Sequence, residues 1–77
     1  PSDPTSGRRG IRTSRYTYVV EIEKGKKTQT WLYDRTNDPS QLHNLAASHP
    51  ELCDSLNQQL ASWLEQTHDS FSTYLKP

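Results

Sequence analysis

The chain has no methionine, one cysteine (Cys53), one phenylalanine (Phe71), three glycines and no net charge. Each scarcity excludes something. A lone cysteine forms no internal disulfide and supplies no cysteine-based zinc spacing, so thiol content leaves the redox compartment undetermined. Lysine plus arginine balances aspartate plus glutamate, nine against nine. That balance provides no overall field to draw in nucleic acid or an anionic membrane, and neither is expected as a partner. No apolar run approaches the roughly 20 residues of a membrane-crossing helix. The opening Pro1-Ser2-Asp3-Pro4-Thr5-Ser6-Gly7 also lacks the apolar stretch of a signal peptide. The missing initiator methionine suggests a piece of a longer protein, whose export signal would lie upstream, so localisation stays open.

Only 30% of the 77 residues are apolar, and most fall between Ile11 and Leu64. A core drawn from so few residues supports one small domain, with no room for a large active site. Residues 1–8, rich in Pro, Ser and Gly, read as a linker, and residues 68–77 as a loose tail.

Between these ends the pattern is α+β: a small antiparallel sheet of three to four strands with one C-terminal amphipathic helix packed on a face. Strands are predicted over about 9–13, 16–23 and 28–34, with turns at Ser14-Arg15 and Lys24-Gly25-Lys26-Lys27. Tyr16, Tyr18, Val20 and Ile22 alternate with Thr17, Val19, Glu21 and Glu23, so the first set should face a core and the second water. Asn37-Asp38-Pro39-Ser40 carries turn chemistry. Ser48-His49-Pro50-Glu51 reads as a capping box opening a helix over about 49–66. Leu52, Leu56, Leu60, Trp63, Leu64 and Thr67 then form its apolar stripe.

Arg9-Gly10-Ile11-Arg12-Thr13, Arg15-Tyr16-Thr17-Tyr18-Val19, Leu32-Tyr33-Asp34, Asp38-Pro39 and Asn44-Leu45-Ala46 follow one another in this order. The series resembles the C-terminal end of formylglycine-dependent, arylsulfatase-like sulfatases. There Arg-(small)-(Val/Ile)-Arg-Thr-x-Arg-Tyr-Lys-Tyr is followed by Leu-Tyr-Asp-Leu, Asp-Pro and Asn-Leu-Ala before a last helix. The resemblance covers roughly Arg9 to Leu64, within a subdomain expected over residues 9–67. It implies a non-catalytic C-terminal subdomain docked on the catalytic domain of a sulfuric ester hydrolase. Calcium and the formylglycine, made from a Cys/Ser-x-Pro-x-Arg motif, would belong to that catalytic domain. Cys53-Asp54-Ser55-Leu56-Asn57 has neither the proline nor the arginine, so the nucleophile motif does not carry over and no cofactor is expected in this piece. Ser14, Thr17 and Arg35 depart from the residues common at their positions.

Arg8, Arg9, Arg12 and Arg15 form the only charge cluster. Guanidinium groups match sulfate and carboxylate oxygens in pairs, so Arg9 and Arg12 are the candidates for a substrate-cleft rim. The competing expectation is pairing with nearby acids or exposure to water. Tyr16, Tyr18, Trp31 and Tyr33 could form a stacking platform for bases or sugars, but aromatics on a small sheet more often make its core. His43, His49 and His68 show no metal-ligand spacing, and Cys53 beside Leu52 reads as an inert, half-buried thiol. The alternative to a sulfatase subdomain is an autonomous module that binds a peptide, glycan or single-stranded nucleic acid. If the docking face is orphaned, self-association through it is a further expectation.

Overall fold

A computed structural model describes residues 6–75. Three strands, β1 (Gly7–Arg12), β2 (Tyr16–Glu23) and β3 (Lys26–Asp34), form an antiparallel meander in the order β1-β2-β3. Helix α1 (Pro50–Gln66) covers one face, followed by the short α2 (Ser72–Leu75). The α+β expectation holds, with three strands.

Strand β1 begins inside the stretch expected to be linker, because Gly7 pairs with Ile22 and Arg8 with Glu21. Residues 1–5, the rest of that linker, lie outside the described residues. The hairpin between β2 and β3 is tighter than expected, with β3 starting at Lys26. Lys24 and Gly25 both have positive φ, 52° and 76°, the geometry of a two-residue type I′ turn. A register shift between Glu21 and Ile22 accommodates the earlier start.

The alternation read for β2 is observed: Tyr18, Val20 and Ile22 are buried, joined by Leu32 from β3 and by Leu56, Leu60, Ala61 and Leu64 from α1. Tyr16 is only half-buried. Tyr18 donates from its hydroxyl to Asn57 Oδ1 at 3.0 Å, and Asn57 Nδ2 donates to the Leu75 carbonyl at 2.8 Å. Burial, with Cys53 and Asp54 nearby, pushes the Tyr18 phenol up to about 12. One asparagine thus ties sheet, helix and tail together.

Three expectations need correction. The capping box does not form: His49 is the N-cap and Pro50 the first helical residue, so Glu51 stands one position too early to answer Ser48. Pro50 suits that first position, where an amide would have no helical partner. Ser48 Oγ instead donates to the Leu45 carbonyl at 3.1 Å. Trp63 is not core; it is 53% exposed. At 3.6 residues per turn it lies about a quarter turn from the centre of the buried arc, and Ala61 occupies the other flank.

The loose tail, finally, is packed where it is described. Phe71 and Leu75 are buried at 4% and 6% exposure. His68, at φ 61°, ends the helix; the Asp69 amide then donates to the Leu64 carbonyl at 2.8 Å, turning the chain back over the sheet. Lys76 and Pro77 lie outside the described residues.

Candidate functional site

Strand alternation divides the arginine cluster between the two faces of the sheet. Arg9 points toward the helix side. Its Nε lies 2.6 Å from Asp69 Oδ2, and its guanidinium sits 4.0 Å from the Phe71 ring centre. Arg8, on the opposite face, pairs with Glu21 at 3.0 Å and lies 5.0 Å over the Trp31 ring. Arg15 is committed to Asp34. Arg12 shares the face of Arg8 and is exposed; among the described residues it has no ion pair. The two arginines singled out for a cleft rim are therefore not brought together.

The strongest polar feature is a knot around Asp34, which is 5% exposed. Arg15 Nε lies 3.2 Å from both carboxylate oxygens and Nη2 donates to Oδ2 at 2.9 Å. The amides of Thr36 and Asn37 and the Asn37 side chain complete the set. Arg35 closes the same corner, donating to the Tyr16 carbonyl at 2.8 Å, to Thr17 Oγ1 and to the Thr13 carbonyl. The Arg15 hydrogen bond, reinforced by the amides, holds the Asp34 carboxyl far below its ordinary range. Arg9, with the Phe71 amide, does the same more mildly for Asp69.

Both folded-state values lie below the unfolded ones, so folding favours the charged forms. The resulting stability is complete above about pH 4, the unfolded carboxylate range, and is lost as pH falls through the depressed folded values. We expect acid titration followed by circular dichroism to show unfolding only in that acid window. Asp34→Asn should weaken the fold at neutral pH and flatten the acid dependence. An identical acid profile in the variant would refute the role of the knot.

Superposition on solved structures decides the relationship. A sulfatase-like protein, yidJ, of Bacteroides fragilis matches with a TM-score of 0.92 and 45% identity over 95% of this chain and 16% of its own. The chain belongs with the sulfatases, as one small piece of such a protein. A second sulfatase-related structure, from work on glycosaminoglycan metabolism by Bacteroides thetaiotaomicron, matches at TM-score 0.75 and 32% identity, over 90% of this chain and 14% of that one. Curated relatives include an uncharacterized sulfatase of Schizosaccharomyces pombe, 38% identical over 75% of the chain. An endo-4-O-sulfatase of Bacteroides thetaiotaomicron is 34% identical over 84% of it, and arylsulfatase K of Bos taurus 33% over 83%. This subdomain spans only 10–13% of those relatives' lengths. No family model matches the chain.

The residues of the sulfatase subdomain do not fit the calcium or formylglycine of such enzymes. The buried carboxylate, Asp34, and the half-buried Asp69 already give their oxygens to guanidinium and amide donors. No group of three or more potential ligands gathers among the described residues. Cys53 is half-buried, its Sγ 3.7 Å from the Ala46 carbonyl, and burial raises its pKa, which favours the unreactive thiol. His43 is exposed, with its amide on Asp38; His49 Nδ1 lies 2.8 Å from Ser48 Oγ. Sequence reasoning missed Asp34 as a knot, although Leu32-Tyr33-Asp34 was singled out. The alternation that buries Leu32 also points to Asp34, and Arg15, next to its cross-strand partner Tyr16, was the available signal.

Proposed function

We propose that this chain is the non-catalytic closing piece of a larger sulfatase whose catalytic domain hydrolyses a sulfate ester. The observation that carries the reading is the near-complete match of the chain to only 16% of the Bacteroides fragilis protein, at TM-score 0.92. The chemistry would reside in the remainder, together with the nucleophile and calcium expected of such enzymes. The knot at Asp34 and the clasp at Asp69 give the subdomain a rigid frame, suited to packing and to lining a cleft rather than to turnover. Of the two candidate rim residues, Arg12 keeps its guanidinium for an anionic substrate, while Arg9 is held by Asp69.

Incubated with a chromogenic aryl sulfate, with or without calcium, the 77-residue chain is expected to release no product above a buffer blank. Turnover clearly above that blank would overturn the non-catalytic reading. The coding sequence upstream of Pro1 should contain a Cys/Ser-x-Pro-x-Arg motif with acidic metal ligands. An unrelated domain there would favour the independent binding module instead.

A further inference from the structure

We infer that the sheet face turned away from α1 is the surface on which the rest of the sulfatase docks; this rests on the reading above that a catalytic domain belongs to the same polypeptide. The register aligns three rows on that face: Arg8, Glu21 and Gln29; Gly10, Val19 and Trp31; Arg12, Thr17 and Tyr33. An antiparallel sheet that ends in water alternates apolar-in with polar-out. Here the outward positions break that rule, placing the half-buried Val19, Trp31 and Tyr33 at neighbouring positions of the face. A contiguous apolar patch on a chain with so little apolar content marks an interface.

The middle row is also flat. A Cβ on Gly10 would stand 3.0 Å from the Tyr18 carbonyl oxygen and 3.1 Å from Val19 Cγ2, so the backbone lies bare beside Val19. Arg8 folds over Trp31 while paired with Glu21, which leaves that end electrically neutral. Arg12 stands at the other end, exposed on edge strand β1 at the margin of the face. The face thus combines an apolar centre with a charged rim.

The occupant is argued from length. The solved relatives that contain this subdomain devote 14–16% of one chain to it, so a far larger body shares the polypeptide and must lie against some side of it. The helix side offers less: Trp63 is exposed beside Ile11, but the residues around them, Ser55, Gln58, Gln59, Ser62 and Gln66, are polar.

Hydroxyl-radical footprinting read by mass spectrometry tests this on the full-length protein against the 77-residue chain. Trp31 and Tyr33 should be labelled several-fold less in the full-length protein, with Trp63 labelled alike in both. Val19→Asp should restore labelling at Trp31 in the full-length protein, with the short chain carrying the same substitution still folded by circular dichroism. Protection of Trp63 with Trp31 and Tyr33 still labelled would move docking to the helix side and overturn the inference. So would concentration-dependent protection of Trp31 in the short chain equal to that in the full-length protein, the sign of a second copy on this face. A full-length protein lacking the sulfatase nucleophile motif would instead overturn the underlying reading, and its sequence reveals this before any labelling.

Discussion

Leu60→Ala should leave the 77-residue chain largely unfolded at room temperature. Leu60 has no exposed surface and sits among Tyr18, Ile22, Leu32 and Leu64, all essentially buried. Truncating a buried leucine costs about 2–5 kcal/mol, because the methyl groups lose their apolar surroundings and a cavity remains. A domain of this size rarely holds more than about 3–5 kcal/mol in total. The expected loss therefore equals most of what is available. Gln59→Ala, one residue away on the exposed side, is the control and should fall within about 0.5 kcal/mol of the unsubstituted chain. Urea titration followed by circular dichroism measures both. Equal midpoints for the two variants would mean that the helix stripe does not face the core.

Phe71→Ala should be nearly as damaging. Removing a buried phenylalanine costs about 3–5 kcal/mol, and this ring does more than fill space. It supports the Arg9 guanidinium from 4.0 Å, meets Tyr74 edge-on at 5.3 Å between ring centres, and lies against the backbone of Gly7. Its loss loosens the Arg9–Asp69 clasp and with it the start of β1. Deletion of residues 69–77 should have the same effect by a different route. Thermal melts that match the intact chain in both cases would show that the tail only rests on the sheet.

The sheet, the helix and their order were legible because period-two and period-3.6 apolar patterns do not depend on distant partners. Tyr18, Val20 and Ile22 on one face, and Leu56, Leu60 and Leu64 on the helix, follow from spacing alone. The tail was not legible for the opposite reason. Phe71, Tyr74 and Leu75 occupy too short a segment to show a period, and the contact beside them, Arg9 to Asp69, joins residues far apart in the chain. Trp63 was misplaced because a three-residue step from Leu60 fits the stripe as well as the four-residue step to Leu64 does. Only the position of the sheet decides between them. The capping box failed by a single residue, since Ser48 and Pro50 each propose a different helix start and the proline prevails. The arginine cluster was visible as a cluster, but the acid that holds Arg9, Asp69, lies beyond the helix and far along the chain.

The side chain of Asn44 has a consequence for how the sheet meets other chains. Its Oδ1 accepts the Leu32 and Ala46 amides, and its Nδ2 donates to the Thr30 carbonyl. The Leu45 amide then takes the Leu32 carbonyl at 2.7 Å. These bonds occupy the outer ladder of β3 as a neighbouring strand would, over the stretch where its side chains turn apolar. The rest of that edge is Lys26, Lys27, Thr28 and Gln29, whose charge and polarity discourage pairing. A foreign strand thus finds this border already stitched, and the protein guards against amyloid-like growth there with one amide side chain.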